Sequence, residues 1–203
     1  MVDWLVEVTS AYDRPDETFY LTLGIMDAYF QKQSRSQVLE LSELHITGVS
    51  SLFLASKYED VYPLLMRTIY EKIGHKKLSK NLILKKEQEI LIAIGYNLNI
   101  VTTGHLLLAY TKLIESMLSK DDFTFFKSMC SYLGKMIAHD SNLQTQADPK
   151  IMASACLYVG IKITEQIKSK KILSKSLQAK LIELSCSDKK DLIVAAKLIL
   201  KMA

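Results

Sequence analysis

The chain has 203 residues, 49% of them hydrophobic, and its 26 Lys+Arg against 22 Asp+Glu give a formal net charge of +4. That surplus is spread along the chain, so the global charge offers no argument for a nucleic-acid partner. Only 7 Gly and 3 Pro, with long stretches rich in Leu, Ile, Ala and Lys, fit an all-helical globular protein and leave strand signals weak throughout.

In chain order, the first segment reads as a helix to about Ala11, broken by Asp13-Arg14-Pro15-Asp16, with Asp16 expected to cap the second helix. That helix starts near Glu17, where Phe19, Leu23, Met26 and Phe30 lay one apolar stripe, and a polar loop is predicted over Gln31 to Gln37. The third, about Ser42 to Tyr58, has no clearly charged face, because Gly48, Ser50, Ser51 and Ala55 stand among Val49, Leu52, Phe53 and Leu54. A helix that is apolar or small all round is surrounded by others. Pro63 marks its exit, a short helix spans about Leu65 to Ile73, and Ser79 caps a fifth that reaches Ile94 before Gly95.

Ile100 to Gly104 is a connector, after which the pattern begins again, with helices expected at about 103–117, 121–139, 148–166, 174–183 and 188–202. Ile46 to Lys57 aligns with Ile151 to Lys162 at a constant offset of 105, small residues opposite small ones. The reading is all-α, a tandem duplication of two similar five-helix domains over residues 1–100 and 101–203.

Cys130, Cys156 and Cys186 are an odd number without C-x-x-C spacing, which fits free thiols in a reducing, intracellular compartment. No apolar run nears the roughly 20 residues of a membrane span, so no membrane partner is expected.

Two charges look stranded. Lys57 has Phe53 four residues and Leu54 three residues behind it, and Glu87 interrupts the stripe of Ile83, Leu84, Ile90 and Leu91 on the fifth helix. Each needs a partner, because an unpaired buried ion costs several kcal/mol. They either pair with each other or present charge at a hydrophobic surface to a second protein, and the two are compatible. Tyr58, Val61 and Tyr62, next along the chain, are of the type that anchors interfaces. Trp4, near Leu5 and Val8, reads first as core.

Catalytic constellations are missing from the sequence. There is no Gly-rich phosphate loop, no H-E-x-x-H and no nucleophile elbow, and His45, His75, His105 and His139 lack ligand spacing. Neither an active site nor a metal or cofactor is expected. The lysines Lys76, Lys77, Lys80, Lys85 and Lys86, and later Lys168, Lys170, Lys171 and Lys175, read as solvated helix faces.

Val2-Asp3-Trp4-Leu5-Val6-Glu7-Val8, Glu17-Thr18, Ile25-Met26-Asp27, Leu54-Ala55-Ser56-Lys57-Tyr58-Glu59-Asp60 and Tyr62-Pro63 together resemble the cyclin box of A- and B-type mitotic cyclins. The second half resembles the C-terminal cyclin fold through Tyr132-Leu133-Gly134, Asp140 and the Ile151 to Tyr158 helix. The resemblance implies a non-catalytic partner of a cyclin-dependent kinase, present in nucleus, cytoplasm or both. It implies kinase contacts at Lys57, Glu87, Tyr58, Glu59, Tyr96 and Leu98. It also implies a patch for Arg-x-Leu substrate or inhibitor motifs at Trp4, Glu7 and Leu44, with His45 where glutamine is usual. A different class, a cyclin-fold adaptor of the transcription machinery like transcription factor IIB, predicts a continuous basic face and salt-sensitive DNA binding.

Overall fold

The structure, a computed structural model, describes residues 1–33, 41–140 and 147–201, and among these residues every regular element is a helix. The chain divides into two compact units, Met1–Val101 and Thr102–Ala203. The first holds α1 (Val2–Ala11), α2 (Asp16–Gln33), α3 (Leu41–Glu59), the single turn α4 (Met66–Thr68) continued by a π turn over Ile69–Ile73, and α5 (Lys80–Ala93). The second holds α6 (Thr103–Leu113), a 3-10 turn (Glu115–Met117), α7 (Lys120–His139), α8 (Pro149–Lys168), α9 (Lys175–Ser185) and α10 (Lys189–Leu200).

Each unit is built around its small-residue helix. In the first, α3 packs on both α2 and α5, and Val49, Leu52, Ala55 and even Ser50, Ser51 and Ser56 are out of solvent. The Ser50 hydroxyl donates to the Ile83 carbonyl at 3.3 Å, tying α3 to α5. In the second, α8 is packed by α6, α7, α9 and α10, with Ala153, Ala155, Cys156, Leu157 and Val159 fully buried. Gly160 shows how tight this is: a Cβ there would stand 2.9 Å from Cys130 Sγ and 3.2 Å from the Phe126 ring. The helix aligned at offset 105 is therefore central for the same physical reason in both units: only small side chains let several neighbours approach.

Helix starts follow the sequence signals closely. Ser79, Ser119, Asp148, Ser174 and Asp188 cap α5, α7, α8, α9 and α10, each side chain accepting from a backbone N–H two or three residues on. Thr102 and His105 form a reciprocal capping box on α6. Differences lie at the ends. Asp16 is the first helical residue of α2, not its cap; the Pro15 carbonyl takes the Thr18 and Phe19 N–H groups instead. Gln31 to Gln33 continue α2 rather than start a loop, with Gln33 donating to the Tyr29 hydroxyl at 3.3 Å; the rest of the predicted loop, 34–37, lies outside the described residues. The helix expected at 103–117 breaks after Leu113, because Ile114 is pinned in the core and the chain tightens to a 3-10 turn. The short helix near Ile73 widens, its Gly74 N–H reaching back to the Ile69 carbonyl at 2.7 Å. Residue 202, the last predicted helical position, is outside the described residues.

Candidate functional site

Lys57, in the last turn of α3, and Glu87, in the middle of α5, are brought together by the packing of these two helices. The Lys57 ammonium bonds Glu87 Oε1 directly and lies 4.2 Å from the centre of the Phe53 ring. The pair sits at an edge of the unit: the Lys57 side chain is 38% exposed and that of Glu87 11%. Glu87 Oε2 is buried and accepts no hydrogen bond among the described residues. The expected apolar stripe around Glu87 is incomplete, since Ile83 and Ile90 are buried but Leu84 is half exposed. The partner each charge required is thus the other, with one carboxylate oxygen left over.

The exit of α3 is clamped from below. Asp60 has a side chain only 2% exposed and accepts from Arg14 Nη1 at 3.0 Å, from Ser56 Oγ at 2.6 Å and from the Thr18 hydroxyl. Arg14 also donates to the Tyr62 carbonyl at 2.9 Å, and the Leu64 N–H donates to Ser56 Oγ at 2.8 Å. The segment after α3 is therefore tied down while its apolar side chains are exposed: Val61 is 87%, Tyr62 84% and Leu65 70% exposed, and Tyr58, in the last turn of α3 just before them, is 55% exposed. Scattered surface apolars are ordinary, but four within residues 58–65 are an unusual concentration. Glu59 is half-buried beside them, and its carboxyl is pushed up by burial, then by Glu17 and Asp60.

At the far end of α5, Tyr96 takes a left-handed backbone (φ 58°) after Gly95 (φ 65°), its N–H bonded to the Leu91 carbonyl at 2.8 Å, and its ring is two-thirds exposed. Leu98 differs: it is half-buried and packs against the cluster of Leu21, Ile25, Tyr29, Leu54 and Ile90.

Around the N-terminal helix, Trp4 is half-buried and meets His45 of α3 edge to face, ring centres 5.5 Å apart. Gly48 permits this approach, since a Cβ there would stand 3.0 Å from Met1 Sδ and 3.4 Å from the Trp4 ring. Leu44, the residue before His45, is half-buried, and Glu7 is exposed on α1. His45 has its pKa lowered by partial burial, then by His75 and Lys77.

Three features escaped the sequence reading. Arg14, read only as part of a helix break, anchors Asp60. Lys86, read as solvated, is buried; it donates to Tyr29 Oη at 3.3 Å and pairs with Glu89 at 2.8 Å and Glu43 at 3.5 Å. Burial opposes its charge, but the bonds to Glu89 and Tyr29 prevail and raise its pKa. Lys168 and Lys170, also read as solvated, converge on Asp122 at 2.9 and 3.1 Å. Lone charges within mixed runs carry no sequence signal that separates these cases. Among the described residues there is no cluster fit to hold a metal ion, and no helix is long and apolar enough to cross a membrane.

Comparison with known proteins agrees with this architecture. Residues 1–99 match the family model "Cyclin, N-terminal domain". The chain is 29% identical over 171 residues to a G2/mitotic-specific cyclin-B1 of Caenorhabditis elegans, covering 80% of this chain and 45% of that protein. It is 30% identical over 166 residues to a G2/mitotic-specific cyclin-B of Hydra viridissima, covering 81% and 39% respectively. The chain thus spans less than half the length of these relatives. A solved viral cyclin from herpesvirus saimiri superposes with a TM-score of 0.77 at 15% identity, over 99% of this chain and 81% of that one, which shows the fold alone. The first unit of the chain is thus similar over residues 1–99 to the cyclin N-terminal domain, and the chain as a whole resembles mitotic cyclins.

Proposed function

We propose that this chain binds and activates a cyclin-dependent serine/threonine kinase in cell-cycle control, through the face that carries Lys57, Glu87, Tyr58, Glu59 and Tyr96, with Leu98 bracing it from beneath. Cyclins are regulatory subunits and not enzymes. The observation that supports this reading best is the Lys57–Glu87 pair, half open to solvent, with Glu87 Oε2 left without a donor next to exposed Tyr58 and Leu84. A backbone N–H from a second chain, reached by a small swing of the Lys57 stem, completes that carboxylate, and the aromatic rim excludes water from the new bonds.

Activation then follows from differential binding. A cyclin that docks only against the inward position of the kinase's mobile helix favours the ion pair that orients the ATP phosphates. Moving a kinase from about 1:99 to 99:1 active needs a preference of roughly 5.5 kcal/mol, so an interface beyond the standard ~1,600 Å² is expected. The surface at Trp4, Glu7, Leu44 and His45 holds short segments of substrates or inhibitors close to that kinase. Such a role belongs in the nucleus or cytoplasm.

Calorimetric titration of a purified mitotic cyclin-dependent kinase with the intact chain and with Glu87→Ala tests the reading. The variant should bind at least tenfold more weakly, about 1.4 kcal/mol, while its melting temperature falls by only a few degrees. Unchanged affinity would remove Glu87 from the interface.

A further inference from the structure

Lys57 is held from two sides. Glu87 of α5 takes one of its ammonium donors, and the ring of Phe53, one turn back on α3, lies with its centre 4.2 Å from Nζ. The ring has little room to move, since Phe53 is 7% exposed on a helix that packs on both α2 and α5. Lys57 makes no other hydrogen bond among the described residues, so two of its three N–H groups stay open at the edge of the unit. A ring face differs here from a second acceptor, because it attracts the cation without using up a donor.

The duplicated helix supplies an internal comparison. At the offset of 105, Phe53 and Lys57 correspond to Tyr158 and Lys162 of α8, again four residues apart. Lys162 Nζ stands 5.9 Å from the Tyr158 ring centre and bonds Glu165 of its own helix at 2.7 Å. Both helices thus place an aromatic ring one turn before the lysine. In the first unit the acid comes instead from a neighbouring helix, and there the ammonium lies closer to the ring.

We infer that Phe53 is a positioning residue for Lys57: its ring fixes the ammonium beside Glu87 while leaving donors free for backbone carbonyls of the kinase. The inference rests on the reading of the Lys57–Glu87 edge as the kinase-facing surface and deepens it. A contact of equal strength in the free and bound chain adds nothing to affinity. This one gains on binding in two ways. A lysine already held loses less side-chain freedom when the complex forms, and covering the edge takes the cation out of water, where its attraction to a ring is stronger.

Fluorination of the ring tests this, because successive fluorine atoms drain the negative ring face while changing its size little. The 203-residue chain is made with mono-, di- and trifluorinated phenylalanine in place of Phe53 and titrated against a purified mitotic cyclin-dependent kinase. Affinity should fall stepwise, to about one fifth or less with three fluorines, and at least as far in Phe53→Leu, while each fluorinated chain melts as the parent does. Proton NMR of the free parent chain reports the pose without any kinase: the Lys57 methylene next to Nζ should resonate upfield of that of an exposed lysine, and should return toward it in Phe53→Leu. Affinity indifferent to fluorine, or a methylene without the upfield shift, with binding still lost in Lys57→Ala, overturns the positioning role and leaves the kinase-facing edge standing. A Lys57→Ala chain that binds as the parent does overturns both.

Discussion

At the scale of single residues, the two halves of one ion pair differ sharply in exposure. Removing Lys57 strands a carboxylate that is nearly out of solvent, whereas removing Glu87 leaves a lysine that can reach water. Lys57→Ala should therefore destabilise the first unit by about 2 kcal/mol and Glu87→Ala by less than about 1 kcal/mol. Thermal melts check this; the opposite ranking would mean that the carboxylate is not the buried half of the pair. Asp60 is a second such case. It serves three side-chain donors, so Asp60→Ala should cost on the order of 3 kcal/mol and make the chain near Tyr62 sensitive to limited proteolysis. Resistance equal to the parent would show that Arg14 does not hold the exit. Residues of this kind were half legible in the sequence: Lys57 and Glu87 stood out against apolar neighbours, while Arg14 and Lys86 sat in polar runs where only the fold decides burial.

At the scale of elements, boundaries were legible wherever a side-chain cap marks them, as at Ser79, Ser119 and Asp148. They were missed where packing sets them, as after Leu113, or where a helix widens, as at Ile69–Ile73. The small residues of α8 yield a direct prediction. Gly160→Ala in a helix interior ordinarily stabilises by about 1 kcal/mol, but here the added methyl meets Cys130 and Phe126 in a closed core. Net destabilisation of about 1 kcal/mol or more is expected by denaturant titration, and stabilisation would show that α7 yields. The link between α7 and the end of α8 is electrostatic. Asp122 is held well below the usual carboxylate range by the Ser119 hydroxyl, then by Lys168 and Lys170. A folded-state pKa depressed in this way gives stability that is fully present above the unfolded value of about 3.9 and is lost as pH falls through the folded one. Asp122→Asn should lower the melting temperature at pH 7 and flatten its decline between pH 5 and 2. A decline as steep as the parent's would remove Asp122 from the acid response.

At the scale of the whole molecule, the chain divides into two compact units, and the burial of the small-residue helix in each follows from its composition. It was legible because a helix lacking a charged face admits few environments. The geometry of the proposed kinase-facing edge was less so, because it involves Oε2 of one glutamate and the hold of Asp60 on a segment with no pattern of its own. The central claim is that the edge of the first unit repositions a kinase without contributing a catalytic group. It is tested most directly by titrating a purified mitotic cyclin-dependent kinase with the intact chain and with the Lys57→Ala/Glu87→Ala variant, and measuring phosphate transfer to a histone substrate. The account predicts saturable activation by the parent chain and, at the same concentrations, at most one tenth of it by a variant that still melts cooperatively. Full activation by the folded variant would contradict it.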